Sequence, residues 1–108
     1  MNTNIIYITT ENKQEAQKIG KVLVEERLAA CVNIIDGMES MFWWEGEAQS
    51  ESETILIAKT TSETIDKLTS RVQEVHSYDC PCVVALPIQG GNPEFISWIG
   101  EEVGNSQK

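Results

Sequence analysis

Three short segments of this chain are apolar at odd and even positions alike, and that pattern narrows what the chain can fold into. They are residues 5–8 (Ile-Ile-Tyr-Ile), 55–58 (Ile-Leu-Ile-Ala) and 83–86 (Val-Val-Ala-Leu). Each reads as a strand, and successive strand residues point to opposite faces of a sheet. Ile6 and Ile8 therefore oppose Ile5 and Tyr7. Ile55 and Ile57 oppose Leu56 and Ala58, and Val83 and Ala85 oppose Val84 and Leu86. A strand with one solvated face would alternate apolar with polar. These do not, so both faces of the sheet need a cover.

The segments between them carry helical signals. Asn12 is placed to cap a helix, with Glu15 as its capping-box partner. Ala16, Ile19, Gly20 and Leu23 share one face of that helix, which should end near Glu26 or Arg27. Residues 30–36 predict a second strand stopped by Gly37, and 39–44 its continuation past a bend or bulge. Trp44-Glu45-Gly46-Glu47 predicts a turn. A polar stretch, 49–53, then leads into a strand over 54–60, so the two strands form a long hairpin.

Thr61 or Ser62 is placed to cap a second helix bearing Ile65, Leu68, Val72 and Val75. A loop over 76–81 and a short strand over 82–86, halted by Pro87, follow. Asn92 with Pro93 opens a last helix with Phe95, Ile96, Ile99 and Val103 on its apolar side. Residues 104–108 are expected to fray. The order β-α-β-β-α-β plus a helix predicts an α+β fold. It is the ferredoxin-like split β-α-β, with an antiparallel sheet and two helices on one face. Residues 1–108 form a single domain.

Two helices cover one face, and one short C-terminal helix is too small to cover the other. A large apolar face in water is a liability. The expected cover is a second copy of the same chain in a closed homo-oligomer. The alternative is that the C-terminal segment and the hairpin fold back over their own sheet.

Charge and cysteine content bound the partners. The chain has 17 acidic and 8 basic residues, a net charge of −9. Such a field repels nucleic acid and anionic membrane surfaces. No apolar stretch approaches the length of a membrane span, and no targeting segment is visible. Three cysteines, an odd number, do not form a disulfide framework, and free thiols point to a cytoplasmic location.

Metal-capable side chains concentrate in one place: His76, Tyr78, Asp79, Cys80 and Cys82. Thiolate and imidazole suit copper, zinc and other late transition metals. In an extended stretch, Cys80 and Cys82 would face the same side. One chain offers too few ligands for a closed site, and the alternative is that both are small apolar residues at a strand start. Cys31, inside an apolar strand, reads as a packed thiol. Glu45, Glu47, Glu51 and Glu53 make an acidic hairpin tip without the spacing of a calcium loop. Phe42, Trp43, Trp44 and Trp98 read as structural or interface aromatics, the alternative being a ligand pocket. Lys59 is either a solvated strand end or an anion contact. No nucleophile has a recognisable partner, so the chain is not expected to be an enzyme.

The run Leu28-Ala29-Ala30-Cys31-Val32-Asn33-Ile34 resembles the signature of the CutA divalent-cation tolerance proteins. Ser40-Met41-Phe42-Trp43-Trp44-Glu45-Gly46, Glu53, Lys59-Thr60, His76-x-Tyr78-x-x-Pro81 and Trp98-Ile99 continue the resemblance in order. It implies a ferredoxin-like homotrimer in the cytosol whose three sheets pack together. It also implies tolerance of copper and other divalent cations, and clefts between subunits gathering Trp44, Glu53, Lys59, His76 and Tyr78.

The departures matter too. Some family members place a cysteine and two adjacent histidines where this chain has Ile8, Val75 and His76, so that copper site is not carried over intact. Cys82 stands where glutamate is usual, Ser77 where proline is usual, and Phe42 where tyrosine is common. The expected function is a trimer binding copper, zinc or another divalent ion, with His76, Cys80 and Cys82 as ligands. The alternatives are a trimeric small-molecule sensor or scaffold like the nitrogen-regulatory signalling proteins, and an enzyme with a composite site.

Overall fold

In a computed structural model, which describes residues 2–104, the chain alternates strands and helices in the predicted order. Strand β1 (Thr3–Thr10) leads to helix α1 (Lys13–Glu25), then to β2 (Cys31–Trp44) and β3 (Glu47–Thr61). A 3-10 turn (Ser62–Thr64) runs into α2 (Ile65–Val75), followed by β4 (Val83–Pro87) and α3 (Pro93–Glu102). Among the described residues the sheet has four strands in the order β2-β3-β1-β4, every pair antiparallel. That is the split β-α-β arrangement. The predicted frayed tail lies, from residue 105 on, outside the described residues.

Register makes one face of the sheet the core. Ile6 pairs with Ala58 and Ile8 with Leu56, and all four are fully buried. Ala16, Ile19 and Leu23 of α1 and Leu68 and Val72 of α2 pack onto them, also without exposure. Gly20 lets α1 come this close. A Cβ there would stand 3.0 Å from the Val32 side chain and 3.3 Å from Leu56. The buried threonines around this core are satisfied: Thr60 donates to the Leu28 carbonyl at 2.7 Å and Thr10 to the Thr54 carbonyl at 3.0 Å.

The hairpin is longer than the sequence pattern predicts. The polar run 49–53 is not a lead-in but part of β3, paired residue for residue with Met38–Phe42 of β2. Polar side chains stay in water on both faces there, so pairing needs no apolar alternation. The turn is the two-residue type that matches strand twist, with Glu45 at φ 50° and Gly46 at φ 82°. The expected bulge lies between Ile35 and Met38, where Thr54 donates to Asp36 at 2.8 Å.

The start of α2 also differs. Neither Thr61 nor Ser62 caps it: the Thr61 hydroxyl pairs with that of Thr64 at 2.8 Å, and the Ser62 hydroxyl accepts from the Asn4 amide at 2.7 Å. The chain makes a 3-10 turn first, and Thr64 precedes α2 without a side-chain cap. β4 begins one residue late and includes Pro87, which an edge strand tolerates.

The second face stays largely open. Phe95 of α3 lies across it near Lys59, whose amine stands 6.0 Å from the ring centre. Ile99 is buried beneath α3 but outside the main core. The end of α3 is tied to the end of α1 by an Arg27–Glu102 pair at 2.7 Å. Beyond α3, Ile35, Val84 and Leu86 remain 49 %, 49 % and 51 % exposed. Among the described residues, neither the hairpin nor the chain up to Gly104 folds back over them.

Leu56 tests the core assignment. Leu56→Ala is expected to lower unfolding stability by about 2–5 kcal/mol, through lost burial and the cavity left behind. Urea unfolding at fixed protein concentration reads this as a lower midpoint at an unchanged slope. A negligible shift would show that the inner face is not the core.

Candidate functional site

Residues 76–82 cross the end of the sheet where β1 finishes and α1 starts. Here the rigid core meets the metal-capable side chains singled out in the sequence. The His76 backbone N–H closes α2 by donating to the Val72 carbonyl at 2.9 Å. The chain then turns toward β1 rather than continuing the helix.

The His76 ring is fully enclosed. Its Nε2 lies 2.8 Å from the Thr9 carbonyl, and a carbonyl only accepts, so Nε2 carries the proton. Its Nδ1 accepts the Tyr78 backbone N–H at 3.0 Å. Both ring nitrogens are therefore spoken for. To bind a metal the ring would have to release one of these partners.

Glu15 organises the loop from outside. Asn12 caps α1 as predicted, accepting the Glu15 N–H at 2.8 Å. Glu15 returns the contact to Glu11 rather than to Asn12, accepting its N–H at 2.9 Å. Its other oxygen accepts the Ser77 N–H at 2.8 Å and stands 3.9 Å from His76 Nδ1. Burial alone would raise the Glu15 carboxyl. The N–H groups of Glu11 and Ser77, with the nearby His76, outweigh it and hold the group below its ordinary 4.5.

Tyr78 leans against His76 with ring centres 4.7 Å apart, and its hydroxyl donates to Glu53 at 2.8 Å. Burial first, then the Glu53 carboxylate, pushes the phenol well above its ordinary value. Cys80 and Cys82 are free and exposed, on either side of Pro81. Partial burial pushes the Cys82 thiol up and the Glu53 charge adds to this, while a hydrogen bond with Thr9 offsets part of it.

The structure thus brings His76, Tyr78, Glu53 and Cys82 to one end of the sheet. It does not bring Trp44 or Lys59 there. Trp44 flanks the hairpin turn, 61 % exposed. Lys59 pairs with Ile5 and Cys31, its amine on the Asn33 side chain. Lys59 and Glu53 lie six positions apart on β3, a separation of roughly 20 Å. Within one chain, then, the expected cleft residues do not form a single site. Among the described residues no three His, Cys, Asp or Glu side chains are grouped to hold one ion.

Two residues central to this end of the molecule, Glu15 and Thr9, were not singled out as site residues. Glu15 carried only a capping signal, and Thr9 acts through its carbonyl, which no side-chain pattern reveals.

Two predictions follow from this geometry. The folded Glu15 carboxyl titrates below its unfolded value, so its stabilisation is complete above about pH 4.5 and is lost as pH falls through the lower folded value. Glu15→Gln should lose about 1–2 kcal/mol at neutral pH, and its deficit should shrink in acid. Denaturant unfolding at both pH values checks this, and an unchanged gap would show that the charge is immaterial. The Tyr78 phenolate should form above the ordinary value of 10.0, and Glu53→Gln should bring it down. Ultraviolet absorbance during alkaline titration reads this, and an unmoved midpoint would break the assignment.

Comparison with known proteins places the chain in a family. A family model described as CutA1 divalent ion tolerance protein matches residues 4–102. The chain is 45 % identical over 100 residues to the divalent-cation tolerance protein CutA of Thermus thermophilus, covering 93 % of this chain and 97 % of that one. It is 44 % identical over 95 residues to the chloroplastic CutA 1 protein of rice, covering 88 % of this chain. The chain spans about half the length of the plant relatives, 54 % for rice and 56 % for Arabidopsis thaliana. The solved Thermus thermophilus structure superposes with a TM-score of 0.93 at 44 % identity, covering 94 % of this chain and 99 % of that one. Among the described residues, no helix is long and apolar enough to cross a membrane. With a family model over residues 4–102 and relatives of this identity and coverage, the chain belongs to the CutA1 divalent ion tolerance family.

Proposed function

We propose that this chain works as a homotrimer that binds copper or other divalent metal ions and contributes to the response to them, without catalysing a reaction. The observation that carries this reading is the unbroken family match over residues 4–102, which includes the whole 76–82 segment. The matched family is named for tolerance rather than for a reaction. Its name concerns divalent ions, and the metal-capable side chains of this chain stand at one end of the sheet.

The open second face supports assembly. Ile35, Val84 and Leu86 are each about half exposed in the single chain. Packing three such faces together removes them from water at about 25 cal/mol per Å² of apolar surface. The exposed Trp43 and Trp44 of the hairpin are the kind of aromatic surface that interfaces use. Bringing chains together also allows Trp44 and Lys59 to approach the Glu53 and Tyr78 of a neighbour.

Cys80 and Cys82 supply thiol ligands for the ion. His76 joins them only after giving up Thr9 or Tyr78, and a neighbouring subunit or water completes the shell. Three free cysteines suit the reducing cytosol, the compartment proposed here.

Native mass spectrometry of the reduced, metal-stripped protein, with copper and zinc added in turn, tests both halves. The expected species has the mass of three chains and retains ions. Leu86→Glu on the open face should convert it to single chains with unchanged secondary structure by circular dichroism. A Leu86→Glu protein that stays assembled would show that this face is not the interface. Three chains retaining no ion would overturn the metal half and leave a trimeric scaffold.

A further inference from the structure

An arginine ends α1 in a place where glycine is the usual residue. Beyond the helix cap at Glu26, the Arg27 N–H donates to the Val24 carbonyl at 3.1 Å and the Leu28 N–H to the Leu23 carbonyl at 2.9 Å. These two bonds make a Schellman turn, in which the residue after the cap takes a left-handed backbone. Here that residue is Arg27, at φ 61°. A side chain there carries a backbone cost that glycine avoids.

What the side chain reaches is the end of α3. One guanidinium nitrogen donates to the Glu102 carboxylate at 2.7 Å and to the Glu102 carbonyl at 3.3 Å. The Arg27 carbonyl in turn accepts the Gly104 N–H at 2.8 Å. Among the described residues, no other hydrogen bond or ion pair joins α3 to the rest of the fold. Ile99 is the one fully buried side chain of this helix, and it lies outside the main core. A helix of 10 residues is not stable without such support.

The position of α3 shapes the open face. Cys31, Lys59, Ile5 and Leu86 are direct neighbours across the four strands, so they point to one side of the sheet. Phe95 lies over Lys59 in that row, and Trp98 packs on Phe95 with ring centres 5.5 Å apart. Both rings remain partly exposed, on the face that carries the half-exposed Leu86. Arg27 is elsewhere: it lines a cavity with Lys67 and Arg71 of α2.

We propose that Arg27 is a latch for assembly. By fastening the end of α3 from the helical side, it sets Phe95 and Trp98 in the arrangement in which the open face meets a second copy of this chain. The proposal rests on the homotrimer reading above. It adds α3 to the interface and makes a residue away from that face its positioning residue. The Arg27 and Glu102 side chains are 41 % and 35 % exposed, and an ion pair so open to water is weak enough to release. Once it releases, Ile99 alone holds the helix.

The test uses the full chain and two single variants. Arg27→Gly removes the side chain but suits φ 61°, so the turn after α1 stays formed. Glu102→Gln removes the charge at the other end and carries the test if Arg27→Gly does not fold. Hydrogen–deuterium exchange of the assembled protein reads α3, and sedimentation over a dilution series reads assembly. In each variant α3 should exchange roughly fivefold faster, the upper end for a partly exposed ion pair. The assembly should dissociate at a several-fold higher concentration, with exchange in α1 and β1 unchanged. The double variant should be no worse than Arg27→Gly, because both changes remove one pair. Faster exchange in α3 with unchanged dissociation would overturn the latch, since α3 would then have no part in assembly. No change in either readout would overturn it too and leave the homotrimer standing. An unmodified protein that stays a single chain at every concentration would remove both readings.

Discussion

Burial of one sheet face under α1 and α2 sets the register on which everything else depends. Ile6 and Ile8 of β1 and Leu56 and Ala58 of β3 must point at Ile19, Leu23, Leu68 and Val72, and a slip of one residue would turn all four strand side chains outward. Gly20 tightens the constraint by letting α1 lie against Val32 and Leu56. With β1 so fixed, its last residues reach the end of the sheet in one position. The Thr9 carbonyl there holds the His76 ring. Core packing and site geometry are consecutive parts of one strand.

The end of the sheet carries a closed polar network, with the free thiols of Cys80 and Cys82 exposed beside it. Glu15, Thr9, His76, Tyr78 and Glu53 satisfy one another through Glu15–Ser77, Thr9–His76, His76–Tyr78 and Tyr78–Glu53 contacts. A satisfied network of this kind is rigid. It holds the loop that carries Cys80 and Cys82, and Thr9 also hydrogen-bonds Cys82. The histidine that looks most like a ligand in the sequence has both ring nitrogens engaged by the fold.

The opposite sheet face carries the other unresolved demand. Its apolar residues follow from the same alternation that builds the core, since strands this rich in Ile, Val and Leu cannot present them to one side only. α3 meets part of that demand with Phe95 and Ile99. The remaining exposure at Ile35, Val84 and Leu86 leaves an apolar surface in water in the single chain, of the kind that marks an interface.

Local chemistry was legible in the sequence wherever a residue acts on its immediate neighbours. The Asn12 and Asn92 caps, the turn at Glu45-Gly46, the bulge after Ile35 and the two-faced strands all depend on contacts a few positions away or on strand alternation. These determined the element order, the sheet and the family. What depended on distant partners was decided only by tertiary structure. Asn4 takes the hydroxyl of Ser62 and so delays α2, and β2 draws the polar residues 49–53 into β3. Glu15 reaches Ser77, and the Thr9 carbonyl claims the nitrogen of His76 that a metal would use. A side chain's capacity for chemistry is written in its type, but whether that capacity is free depends on which groups the fold brings against it.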